Sequence, residues 1–374
     1  MLSKIIEVLT FGKFYLGNKK DILIFDASAS AFLKNYFEVN QFNFFYSRKE
    51  KFELCIFFKT IITKGLKDFG TNYLFNYIKK FTPKYIFSMW FLNESLYLIK
   101  DKYPNIKIIL IQSHFITNKN YKILSSFPKN SVDLFFTYRD LDKNNLKKIF
   151  NNTKIISIGS LKNNFYYKKV ERKISNKILF FSEYKKNRGV TYDERIILKN
   201  LDEFCGINNL KLDIQTRYET LQPKYLKFLN DCKYKNISKL LCRKDYGSSY
   251  INSNIYKIIA ISHSTLADEF LSNFKRVAVL NSAKDLDDDK FYQLNHGKIR
   301  ENVLNNPFYT GMLPENFSWC LSLDKKIVFK VLNNVIKCND DDWNSHLLKY
   351  NNRYLFDPNN KTFREQLRRI GIIN

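Results

Sequence analysis

The segment from Tyr256 to Asn281, YKIIAISHSTLADEFLSNFKRVAVLN, restricts the fold more than any other part of the chain. Ile258 to Ile261 and Val277 to Leu280 are apolar runs of strand length. Between them lie a polar turn with His263, Ser264 and Thr265, and a short helical stretch with Asp268 and Glu269 in its first turn. Two strands joined by one helix belong side by side in a parallel sheet. Phosphorylated ligands bind at such strand-to-helix junctions, because the first N–H groups of a helix lack intrahelical partners and carry partial positive charge. Hydroxyls and an imidazole can complete a diphosphate site there, and a carboxylate one turn on can hold the two hydroxyls of a ribose. The same residues also fit a plain helix cap, with Thr265 at the cap and Asp268 three positions later. The local sequence leaves both readings open.

The same alternation runs along the whole chain. Strand-length apolar runs recur at Ile22–Phe25, Phe42–Tyr46, Tyr85–Met89, Ile106–Ile111, Leu134–Thr137 and Lys154–Ile158, with amphipathic stretches such as Ala29–Phe37, Asn72–Lys80, Glu94–Lys100 and Arg139–Phe150 between them. Leu161–Asn176 is polar and reads as an interdomain connection. A second series follows from Lys177–Glu183 through Asp193–Phe204, Leu212–Gln215, Gln222–Leu229 and Ser238–Cys242, and the chain closes on the helical stretches Lys325–Ile336, Asp341–Tyr350 and Lys361–Ile370. A chain of 374 residues exceeds one ordinary core. The expected organisation is an α/β, GT-B-like fold, two Rossmann-like domains facing a cleft with a helical C-terminus. Residues 1–165 form an N-terminal Rossmann-like domain, 177–340 a C-terminal Rossmann-like domain, and 341–374 helices that pack back on the N-terminal domain.

The net charge is +26. Lysine is spread along the chain beside abundant Asn, Ile, Phe and Tyr, the drift expected of an AT-rich genome, so most of the charge needs no special partner. The remainder suits phosphorylated substrates or an anionic membrane surface. No groove-reading motif or basic arm occurs, and nucleic acid is not an expected partner. The six cysteines form no C-x-x-C pair and have no histidines at metal-ligand spacing, which points to buried thiols in a reducing compartment and to no metal. The N-terminus lacks a signal-peptide core, and no apolar run of about 18 residues occurs, so a cytoplasmic protein, peripheral to the inner membrane, is expected. No G-x-G-x-x-G is present, against a dinucleotide oxidoreductase, and the acidic cluster Asp285–Asp289 fits no calcium loop.

Several segments resemble a known family, the surface-carbohydrate (O-antigen) biosynthesis proteins first noted in spirochaetes, distant relatives of the GT-B capsule and teichoic-acid polymer transferases. The resemblance lies in Lys20–Leu33, Tyr103–His114, Ile158–Tyr166, Ser262–Asn281, Asn305–Gly311 and Trp343–Asn360. Its most specific part is Ser264-Thr265-Leu266 with Glu269, followed by Lys275-x-Val277-Ala278. The family usually has Gly and Tyr where this chain has Ala267 and Asp268, and Gln-Asn-Gly where it has Gln112, Ser113 and His114.

The resemblance implies a glycosyltransferase that uses a nucleotide-sugar donor, a glycan or lipid-linked acceptor and no cofactor. It makes Ser264 and Thr265 donors to the diphosphate, with Glu269 on the ribose and His263 beside them. Arg217, after Leu212–Gln215, and Arg188, after Lys177–Glu183, are guanidinium candidates for neutralising the leaving diphosphate without a metal. The catalytic base is sought in the first half at Asp26, Glu94 or His114, each just beyond a strand's carboxyl end. The aromatic residues of Asn305–Tyr309 and Trp319 could stack on sugars or fill core. Two other readings are a non-hydrolysing sugar-nucleotide epimerase of the same fold and a basic nucleic-acid-binding protein.

Overall fold

The computed structural model describes residues 13–47, 51–65, 67–168, 174–184, 190–216, 222–245, 247–262, 264–281, 316–349 and 354–373. The chain divides into two compact units, Met1–Ile158 with Lys361–Asn374, and Gly159–Asn360.

The first unit is a six-stranded parallel sheet of β1 (Ile22–Phe25), β2 (Phe42–Phe45), β3 (Tyr85–Ser88), β4 (Lys107–Ile111), β5 (Leu134–Thr137) and β6 (Lys154–Ser157). Their order is β2-β1-β3-β4-β5-β6. The central strands are buried along their length, β1 as ILIF and β5 as LFFT, because helices cover both faces of a parallel sheet. The covering helices include α1 (Leu54–Lys64), α2 (Phe69–Phe81), α3 (Asn118–Ser125) and α4 (Asp140–Ile149). Strand order reverses between β1 and β3. Ligands bind beyond the carboxyl ends of strands at such a switch point.

The second unit repeats the plan with β7 (Ile174–Phe181), β8 (Lys211–Thr216), β9 (Ile237–Cys242), β10 (Tyr256–Ile261), β11 (Arg276–Leu280) and β12 (Trp319–Cys320). Their order is β9-β8-β7-β10-β11-β12, the Rossmann arrangement, with its switch point between β7 and β10. Its helices are α5 (Leu161–Tyr166), α6 (Tyr192–Ile207), α7 (Gln222–Asp231), α8 (Ser248–Asn254), α9 (Leu266–Ser272), α10 (Lys325–Lys337) and α11 (Asp340–Leu348). Helix α10 shows the logic of the layer. Its buried side chains are Val328, Val331, Leu332 and Val335, one stripe at helical spacing, and Asp324 caps it by accepting from Lys326 N at 2.9 Å.

The closing helices divide between the units. In α11, Trp343 is buried in the second unit and stacks on Phe317 with ring centroids 5.8 Å apart. In α12 (Lys361–Arg369), Phe363 meets Tyr36 and Phe136 edge-on, each at 4.9 Å, within the first unit.

The polar stretch expected as a connection is partly core. In α5 both Asn163 and Asn164 are buried. Asn164 Nδ2 donates to Asn360 Oδ1 at 2.9 Å, and Asn360 Nδ2 donates to the Leu161 carbonyl at 2.9 Å. Side-chain amides can be buried where each finds a partner, so low hydrophobicity does not make this segment a linker. The stretch Glu94–Lys100 forms two single turns, Glu94–Tyr97 and Ile99–Lys102, where one helix is expected. Burial of thiols holds for Cys205 and Cys320, whereas Cys55 and Cys232 are exposed.

Two glycines make opposite predictions. Gly159 has φ +72, and a Cβ there would lie 1.9 Å from the Leu355 carbonyl oxygen. Gly159→Ala therefore combines left-handed strain with a backbone clash and should cost on the order of 3 kcal/mol or more. Gly70 lies in α2, where an added Cβ meets nothing within 4 Å. Gly70→Ala should stabilise by roughly 0.5–1 kcal/mol through helix entropy. Urea unfolding of both variants against the wild type checks the pair.

Candidate functional site

The Ser264–Thr265 turn follows β10, one of the two strands that flank the second unit's switch point. Ser264 Oγ accepts from Leu266 N at 3.3 Å. Thr265 occupies the cap position but makes no side-chain capping bond, so its hydroxyl is not spent on the helix. Helix α9 is only seven residues long. His263, Arg188 and Arg217 lie outside the described residues, as do Asn305–Tyr309 and Asp285–Asp289.

Glu269 is 3% exposed. Its carboxylate accepts from Ser160 Oγ at 2.8 Å and from Tyr250 OH at 2.7 Å. Its backbone carbonyl accepts from Asn163 Nδ2 at 2.7 Å. Three helices, α5, α8 and α9, are thus tied to one residue. Burial raises the Glu269 pKa, against the two hydroxyls and the charge of Lys162, which favour the ionised form. Lys162 is shifted down, chiefly by burial and also by Arg243, while Glu269 pulls it up. A ribose gripped directly by Glu269 would have to displace Ser160 or Tyr250.

A second cluster of the same composition closes the β7 side. Glu194, in the first turn of α6, accepts from Ser182 Oγ, just past β7, and from Tyr225 OH at 2.7 Å. Among the described residues, its other carboxylate oxygen is buried without a hydrogen-bond partner. Burial raises the Glu194 pKa, opposed by the bonds from Ser182 and Tyr225. Sequence reading passed over Ser182, Glu194, Ser160 and Tyr250. The Thr191-x-x-Glu194 spacing was visible, and it forms half a capping box: Thr191 Oγ1 accepts from Glu194 N at 3.1 Å.

In the first unit, Asp26, Glu94 and His114 follow β1, β3 and β4, three adjacent strands. Asp26 is fully buried with φ +58, a left-handed backbone that Asp tolerates better than most residues. Ser30 Oγ, one turn on, accepts from Met89 N at 2.9 Å and joins the loops of β1 and β3 across the switch point. Phe91 stacks on His114 with centroids 4.8 Å apart, which joins the loops of β3 and β4. Burial lowers the His114 pKa, leaving a neutral imidazole near pH 7 that can accept a proton. Its Nδ1 lies 3.1 Å from Ser113 Oγ. Glu94 is exposed beside its capping residue Asn93.

Beneath His114, Gln112 Oε1 accepts from Tyr138 N at 2.7 Å, and its Nε2 donates to the His114 carbonyl at 3.1 Å and to Asp142 at 3.3 Å. The buried pair of Arg139 and Asp142, 2.7 Å apart, completes this support. Trp319 is buried in core. Among the described residues, no group of three or more His, Cys, Asp or Glu could hold a metal, and no helix is long and apolar enough to cross a membrane.

A protein family described as "putative O-antigen biosynthesis protein" matches residues 109–370, a span that includes the Ser264–Glu269 element, both carboxylate clusters and His114. The chain belongs to this family. No curated protein matches the chain in sequence. Among solved structures, a variant of the wall teichoic acid polymerase TagF aligns with TM-score 0.55 at 12% identity, over 94% of this chain and 89% of that one. TagF with CDPG aligns with TM-score 0.54 at 11% identity, over 95% and 90%. A UDP-GlcNAc 2-epimerase from Neisseria meningitidis bound to UDP-GlcNAc aligns with TM-score 0.49 at 13% identity, over 93% and 99%. The fold of this O-antigen family member is GT-B-like.

The two carboxylates generate separate tests. Below the ordinary value of 4.5 Glu194 is protonated in both states; above it, the folded state binds the proton more tightly, and stability falls as pH rises through the folded pKa. Glu194→Gln keeps one acceptor oxygen for Ser182 and Tyr225 and removes the charge. It should raise the unfolding temperature at pH 7, with the gain vanishing as pH falls toward 4.5. Glu269→Ala leaves two buried hydroxyls without an acceptor, at roughly 1–3 kcal/mol each. Urea unfolding should show a loss of that order.

Proposed function

We propose that this chain is a glycosyltransferase-like enzyme of bacterial surface-polysaccharide biosynthesis, moving a sugar or polyol phosphate from a nucleotide-activated donor. The observation that carries the reading is the Ser264–Thr265 turn, which lies at the carboxyl end of β10, at the switch point, with the Thr265 hydroxyl not spent on capping α9. Membership of the O-antigen family supplies the biosynthetic context.

In this reading the diphosphate accepts hydrogen bonds from Ser264 and Thr265, and Arg188, Arg217 and His263 supply further donors and positive charge without a metal. Glu269 contributes by positioning: it fixes α9 against α5 and α8 and so holds the turn in place. The first unit serves the acceptor, a glycan or a lipid-linked glycan. There Asp26, or His114 as a neutral imidazole, takes the proton from the attacking hydroxyl. The charge of +26 also gives the chain an affinity for anionic lipid, where such acceptors reside.

The test is thermal unfolding with CMP, CDP, UDP, GDP and ADP, for the wild type and for Ser264→Ala/Thr265→Val. At about a hundred times its dissociation constant, the correct nucleotide should stabilise the wild type by roughly 2.7 kcal/mol. The double variant gives up the bond from Leu266 N to Ser264 Oγ, a small cost to its own unfolding temperature, and should show no gain with that nucleotide. No gain with any nucleotide would overturn the donor site. Co-sedimentation with phosphatidylserine vesicles at low salt tests the membrane partner, and protein left in the supernatant removes it.

A further inference from the structure

A cavity of about 220 Å³ opens in the first unit beyond the carboxyl ends of β1 and β2. Its lining includes the aromatic residues Phe25, Phe45, Tyr46, Phe52, Phe69 and Tyr73. The polar residues Ser47, Asp68, Thr71, Asn93 and Ser95 line it as well. An apolar cavity of about 150 Å³ holds a benzene ring, so 220 Å³ accommodates a six-membered ring with several substituents. It falls below the roughly 300 Å³ at which sites for drug-sized ligands begin.

The polar groups indicate the nature of the ring. Thr71 Oγ1 and Ser95 Oγ lie 3.0 Å apart, each still able to bond once more. Among the described residues, Ser47 Oγ is buried with no hydrogen-bond partner. Asp68 is the N-cap residue of α2, with φ +49, yet its side chain does not cap the helix. A capping Asp normally accepts from the backbone N–H of the first turn, and this carboxylate is not spent in that way. A lining that mixes aromatic carbon with hydroxyls, an amide and a carboxylate complements a polyhydroxylated ring that has one apolar face.

We infer that this cavity binds a single sugar ring of hexose size. Phe25 lines it, and the next residue in sequence is Asp26, the first candidate for the base. The ring is the acceptor end of a glycan. That last assignment rests on the transferase reading, whereas the binding of a ring does not.

Saturation-transfer NMR on the full chain, with methyl glycosides of glucose, galactose, N-acetylglucosamine, mannose and rhamnose as probes, tests the inference. At least one glycoside should receive saturation. Thr71→Val/Ser95→Ala removes both members of the hydroxyl pair, a change that leaves neither partner orphaned and so should spare the fold. It should weaken binding at least tenfold, with the unfolding temperature and any nucleotide-induced shift unchanged. Gly70→Tyr, which adds bulk to a residue lining the cavity, should do the same and serves if the double variant unfolds. No signal from any glycoside, or a signal equal in wild type and variants, overturns the pocket. Glycoside binding lost in the variants while no nucleotide stabilises the wild type would keep the pocket and refute the donor reading.

Discussion

A carboxylate removed from water is unstable unless donors replace the water, and in the second unit Glu269 meets that requirement with hydroxyls from two other helices. Ser160 on the edge of α5 and Tyr250 on α8 both donate to it, and Asn163 holds its backbone carbonyl. The two groups it bonds are over a hundred and about twenty positions away in sequence, as the partners' numbers show, so one residue fixes three separate segments. The turn before α9 inherits its position from this arrangement. Ser264 and Thr265 are short side chains, and their hydroxyls can serve a ligand only where the backbone beneath them is held still. The Ser182–Glu194–Tyr225 cluster plays the same part beyond β7. Both edges of the switch point are therefore supported by a buried Glu that accepts from one serine and one tyrosine.

The first unit uses another device. Its loops beyond β1, β3 and β4 are joined by the Ser30–Met89 hydrogen bond and the Phe91–His114 stack. Asp26 sits in a left-handed backbone that places a buried carboxyl directly at the end of β1. Under His114, the Gln112–Asp142–Arg139 network satisfies groups that would otherwise be costly to bury. The aromatic richness of the chain finds use here as wall and core, as in the Phe25–Phe45 stack at 5.3 Å.

Much of the fold was legible because parallel strands buried on both faces read as plain apolar runs: Ile22–Phe25 and Leu134–Thr137 carry the same bounds in sequence and structure. The helix Leu54–Lys64 was not, since LCIFFKTIITK mixes β-branched and aromatic residues and its cap is a glutamate, Glu53, accepting from Ile56 N at 2.7 Å. Helix α5 was misread because amide side chains look like solvent-facing polarity until their partners, far along the chain, are known. The Ser264–Glu269 element was legible as a motif, and its location at the switch point follows from strand order. The partners of Glu269 were not legible, because Ser160 and Tyr250 are ordinary residues whose role depends on long-range packing.

The central claim is that a donor nucleotide binds at the β7/β10 switch point of the second unit. Hydrogen–deuterium exchange of the full chain, with and without the nucleotide that binds best, tests it most directly. The account predicts added protection in peptides spanning residues 181–184 and 262–270, with the peptides of β1 to β6 unchanged. Protection confined to the first unit, or none at saturating nucleotide, would contradict it.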